Sequence, residues 1–137
     1  MKRTIKSFII AGIIYMFLGV LFGGLISGGP VADYAQTEAG HWLEAEHALI
    51  NFIGFLSLIL MGLTYQVVPS ICEKQIYSKK LGNLNFVIVN LGLLFMIIFI
   101  ALKSLLGIEY FSSIIMIGGI LLTIGYFTFG INILKSL

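Results

Sequence analysis

Two imidazoles, His41 and His47, are the side chains with the widest chemical reach in this chain. His47 sits inside an apolar run, with Glu44 and Glu46 just ahead of it. Neutral imidazole is the commonest metal-binding side chain, and ionisable groups at membrane depth are costly enough to be functional candidates by default. Asn51, Gly54 and Leu58 follow His47 at helical spacing and share its face. Gly54 leaves a flat depression below the imidazole, where a porphyrin or a neighbouring helix can approach; ordinary small-residue helix packing is the structural alternative. His41 precedes His47 by six residues. That separation turns a helix through roughly 600°, so the two rings do not share a face, and His41 reads as a surface histidine. The single cysteine, Cys72, has no intrachain disulfide partner and belongs to no metal-binding Cys pair.

The elements that must position His47 follow from composition. Of the 137 residues, 59% are hydrophobic and 10% charged, and the mean hydropathy is +1.08. Soluble domains carry about 25% charged residues. A soluble enzyme, a disordered segment, a nucleic-acid binder and a disulfide scaffold are therefore excluded. Apolar runs cover 5–27, 43–68, 81–102 and 110–134. Each is long enough to cross a hydrocarbon core of about 30 Å as a helix. Strand-like alternation is missing, and lipid accepts only helices or closed barrels. The expected fold is a single all-α, integral membrane four-helix bundle. Gly28-Gly29-Pro30 breaks the chain after the first helix, and Pro69 is expected to end the second.

The positive-inside rule sets an orientation. Lys2, Arg3 and Lys6 precede helix one, Lys74, Lys79 and Lys80 lie between helices two and three, and Lys135 follows helix four. Only Lys103 falls at the opposite end, together with Asp33, Glu38, Glu44, Glu46 and Glu109. Both termini are expected in the cytoplasm, in the cytoplasmic membrane. Signal-peptide cleavage is not expected, because the first apolar run exceeds the usual 7–15 residues and no clean small-x-small cleavage site follows it. Gly28 to Trp42 is the longest polar stretch and reads either as a short amphipathic cap or as an ordered loop.

Gly12, Gly19 and Gly23 line one face of helix one, and Gly118 and Gly125 lie a heptad apart in helix four. These are spacings for close helix contact. Asn83, Asn85, Asn90, Gln66 and Thr123 read as interhelical hydrogen-bonding groups. A proton- or sodium-coupled transporter needs a titratable or ion-coordinating centre near the midplane, and the sequence offers none there.

The segment from Glu46-His47-Ala48-Leu49-Ile50-Asn51-Phe52-Ile53-Gly54-Phe55 to Tyr65-Gln66-Val67-Val68-Pro69 resembles the second helix of subunit I of haem–copper oxidases and nitric oxide reductases, the C-type oxidase branch above all. In that family a histidine followed by Gly-Phe seven and eight residues on is an axial ligand of the low-spin haem b. The resemblance passes that role to His47 alone; Gly54 and Asn51 lie beside it by helical spacing. Family subunits have twelve helices in three arcs of four and at least six metal-binding histidines. One chain with two histidines cannot build the oxygen- or nitric-oxide-reducing centre, so no catalysis by a lone protomer is implied. A four-helix chain looks like one arc standing alone. One histidine does not bis-ligate a haem, so the resemblance implies a symmetric homo-oligomer, a homotrimer first and a homodimer second. His41 from a neighbouring chain is one source of a second ligand. The expectation is a haem b-binding protein of electron transfer or haem-based sensing; the alternatives are a haem-free accessory subunit and a small transporter.

Overall fold

The computed structural model describes residues 1–28 and 31–137, and among these every regular element is helical. Helix α1 spans Lys2–Gly28, a single turn α2 spans Ala32–Ala35, α3 spans Trp42–Ile71, α4 spans Lys79–Leu106 and α5 spans Phe111–Leu134. Helices α1, α3, α4 and α5 are each long and apolar enough to cross a bilayer. Their outward faces carry large apolar side chains along the bundle, such as Val20, Leu21, Phe52 and Phe127, each more than 60% exposed. A surface of that kind is stable only in an apolar solvent. The chain is an integral membrane protein.

The helices run further than the apolar runs that announce them. Lys2 already lies in α1, Lys79 opens α4 and Lys103 lies in its last turn. Ser78, extended at φ −145°, caps α4 by accepting from Leu81 N at 3.2 Å. Gly107 closes α4 in the left-handed region at φ 65°, which suits a residue without a Cβ. Pro69 does not end α3, contrary to expectation: the helix continues to Ile71. Proline removes only its own N–H, and Cys72 N donating to Val68 O at 3.0 Å and Lys74 N to Pro69 O at 3.1 Å complete the turn beyond it. Within α3, Ile50–Ser57 is wound as a π-helix, with Ser57 Oγ bonding Phe52 O at 2.9 Å. The chain break after α1 falls partly on Gly29 and Pro30, outside the described residues.

Two antiparallel pairs build the bundle. Helix α1 packs along α3, and α4 packs along α5. The second pair is the closer: a Cβ on Gly92 would lie 2.8 Å from Gly118 O and 2.9 Å from Leu122 N. Gly118 and Gly125 therefore act as their spacing suggests, Gly125 receiving Val89. Phe8, Leu58, Tyr65, Val89 and Leu93 form the core where the pairs meet. Asn85 crosses it, donating to Gly125 O at 2.7 Å and accepting from Tyr65 Oη at 3.3 Å. Asn83 accepts from Thr4 of α1. Asn90 and Thr123, expected to bridge helices, instead bond their own helix at Phe86 O and Gly119 O. The amide of the one and the hydroxyl of the other reach a carbonyl four residues back, which satisfies them locally.

At the acidic end the described part of the connection between α1 and α3, residues 31–41, is held by hydrogen bonds. Tyr34 Oη donates to Ser104 O, Ser104 Oγ donates to Ala39 O at 2.9 Å, and Gly40 N donates to Thr37 Oγ1 at 3.0 Å. The Lys103 ammonium lies 4.6 Å from the Trp42 ring centroid, 2.8 Å from Ser112 Oγ and 3.5 Å from Glu109 Oε2. At the other end, Asn132 and Ser78 exchange hydrogen bonds at 3.0 and 2.9 Å, and Lys74 Nζ reaches Leu137 O at 2.6 Å.

Candidate functional site around His47

His47 lies in the second turn of α3, on the side that meets α1. The two helices mesh in a regular antiparallel register. Gly23 faces His47, Gly19 faces Asn51, Tyr15 faces Gly54, Gly12 faces Ile59 and Phe8 faces Gly62. Each large or polar side chain meets a glycine on the opposite helix. A Cβ at Gly23 would lie 2.6 Å from His47 Cε1, and one at Gly19 would lie 2.5 Å from Asn51 Oδ1. The glycines of α1 thus carve the slots that accept the polar groups of α3.

Asn51 orients the imidazole. Its amide nitrogen donates to His47 O at 2.9 Å and lies 3.2 Å from Nδ1 and 3.4 Å from Nε2 of the ring. Phe22 approaches from α1, its ring centroid 6.4 Å from that of His47. The imidazole is half-buried, and no carboxylate pairs with it. His41 is separate: its side chain is 78% exposed in the turn ahead of α3, with Nδ1 3.3 Å from Glu44 Oε2. Structure and sequence thus bring His47, Asn51 and Gly54 to one helix face and leave His41 off it.

The hollow at Gly54 is filled from within the chain. A Cβ there would lie 2.7 Å from Tyr15 Cγ and 2.8 Å from Tyr15 Cβ, so the Tyr15 side chain occupies the space a flat ligand would need. His47 suits an axial ligand by chemistry, but Gly54 provides no platform for a porphyrin in a single chain. The imidazole is half-buried, and its neighbours in the helix Glu44 and Ala48 are exposed. Among the described residues, no three His, Cys, Asp or Glu side chains gather around a common metal position.

Glu46, which the sequence groups only with the other acids of its end, is turned into the core. It is 4% exposed, and its Oε2 is buried without a hydrogen-bond partner. The signal was present: Leu43, Glu46 and Ile50 follow at three and four residues, and all three are buried. An acid in register with two core residues faces the core with them. No known protein family, curated protein or solved structure matches the chain.

Proposed function

We propose that the protein is a non-catalytic haem-binding module of the membrane, in which His47 is an axial ligand of a b-type haem held between copies of the chain. When bound, the haem supplies a one-electron redox centre or a gas-responsive iron, for electron transfer or sensing. The observation that carries the reading is the half-buried imidazole itself, within a membrane helix and free of any acid partner. The resemblance of α3 to the haem-bearing helix of oxidase subunit I adds to it. In this reading Asn51 fixes the ring, and the Gly19 and Gly23 slots hold that pair against α1. One histidine does not bis-ligate a haem, and Tyr15 fills the hollow at Gly54, so in this reading the second ligand and much of the haem pocket come from another protomer. A homotrimer rebuilds the twelve-helix ring of the family and is preferred; a homodimer sharing one bis-histidine haem on its axis comes second. The lysine-rich end, with both termini, faces the cytoplasm of the cytoplasmic membrane.

The packing of Tyr15 onto Gly54 favours one second reading, a haem-free structural subunit of a larger membrane complex. Oxidised and reduced absorption spectra of the protein purified in mild detergent separate the two. A b-type spectrum that disappears in His47→Ala and persists in His41→Ala supports ligation by His47. Equal loss in both variants makes His41 the second ligand. A colourless protein, extracted intact from haem-replete cells, favours the structural subunit. Native mass spectrometry of the same sample counts chains and haems together.

A further inference from the structure

At the lysine-rich end a cavity of about 340 Å³ opens between the start of α1, the end of α3 and the start of α4. Its floor is apolar, made by Ile5, Tyr65, Pro69 and Ile76, and its rim carries Lys2, Lys79 and Lys74, the last held by Leu137 O at 2.6 Å. These three ammonium groups come from three separate segments of the fold. All three lysines are exposed, whereas Tyr65 and Ile76 are buried. Seven of the eight basic residues lie at this end of the bundle, and Glu73 is the only acid in the sequence there. The cavity therefore joins a positive rim, at the level where helices leave the hydrocarbon, to an apolar floor that leads into it.

We propose that this cavity binds the headgroup of an anionic phospholipid, with Lys2 and Lys79 on the phosphate and an acyl chain along Ile5 and Ile76. A soluble anion would use the rim and leave the apolar floor wet. A zwitterionic lipid would use the floor but carry a choline or amine cation into a field of like charge. An anionic lipid satisfies both parts of the cavity, by the rule that basic pockets between membrane helices take acidic headgroups. The inference is independent of haem at the other end.

The test is native mass spectrometry of the full chain titrated in detergent with phosphatidylglycerol or phosphatidylcholine of the same acyl chains. The first phosphatidylglycerol is expected to bind on the order of tenfold more tightly than phosphatidylcholine. Lys2→Gln/Lys79→Gln is expected to abolish that preference. Lys6→Gln/Lys80→Gln removes the same charge from the same end, outside the cavity lining, and is expected to keep it. All four lysines are exposed, so both variants are expected to fold. Equal binding of the two lipids, or equal loss in the two variants, overturns the proposal. Full competition by glycerol phosphate at matched concentration also overturns it, because the site would then be one for a soluble phosphate.

Discussion

The His47 imidazole rests on Gly23: a single methyl group added to that glycine would lie 2.6 Å from Cε1. The position of the ring is thus decided by the helix opposite as much as by its own. Gly23→Ala becomes a way to move the imidazole without deleting it. If His47 ligates haem, this substitution is expected to shift the haem spectrum or its midpoint potential. Gly24→Ala, where an added Cβ meets nothing, is expected to leave both unchanged. Identical spectra for the two variants would detach His47 from the iron.

The other glycines sort by what faces them. Gly92→Ala drives a methyl into Gly118 O and Leu122 N, backbone atoms that move only with the whole helix, and Gly54→Ala meets the root of Tyr15. Both are expected to destabilise the bundle by about 1–3 kcal/mol, as overpacking does. Gly119→Ala and Gly130→Ala meet open space and are expected to be neutral or slightly stabilising, since alanine is the better helix former. Thermal unfolding of the detergent-solubilised variants reads the difference.

Of the helix amides, buried Asn132 exchanges two hydrogen bonds with the backbone of Ser78, whereas half-buried Asn90 bonds only its own helix. Asn132→Ala leaves Ser78 N and O without those partners and is expected to cost roughly 1–2 kcal/mol. Asn90→Ala is expected to fall within about 0.5 kcal/mol of the parent, as substitutions away from such links do. Equal effects in the same unfolding assay would mean that the link between α5 and the loop before α4 carries no stability.

The four spans and the glycine faces were legible because hydrophobic length and small-residue spacing are local properties. The extra turns at Lys2, Lys79 and Lys103 were not, because a lysine can remain helical while its long side chain reaches the polar layer. Pro69 misled for a related reason: proline breaks a helix by losing one N–H, and near a helix end that loss is small. The Gly54 hollow was readable from spacing, but its occupant was not. Nothing in α3 says that Tyr15 of α1 fills it, since that contact depends on the register between two helices. Asn132 and Ser104, which anchor the two ends, were not singled out because their partners are backbone atoms of distant loops.

Cys72 follows α3 at the lysine-rich end and is the only cysteine of the chain. If that end faces the cytoplasm, as proposed, a membrane-impermeant maleimide is expected to label it only after cells are permeabilised. Asp33→Cys in a Cys72→Ser background, at the acidic end, is expected to react in intact cells. The reverse pattern would invert the topology, and labelling of both in intact cells would mean a different number of spans.

Glu46 leads to a prediction opposite in sign to most core substitutions. Its carboxyl is buried, and Oε2 has neither a cation nor a donor to meet it. Burying an unpaired polar group costs free energy, and a charged one costs more. Replacing it by a group that needs less should recover part of that cost. Glu46→Gln keeps the shape without the charge, and Glu46→Leu removes the polar atoms as well. Both are expected to unfold at a higher temperature than the parent at neutral pH, with leucine at least equal to glutamine. A lower melting temperature for both would show that the carboxylate has a partner in the assembled protein, supplied by a second copy or by a bound cation. The same melting experiment on separated oligomer and protomer would tell those two apart, because only a partner chain is lost on dissociation.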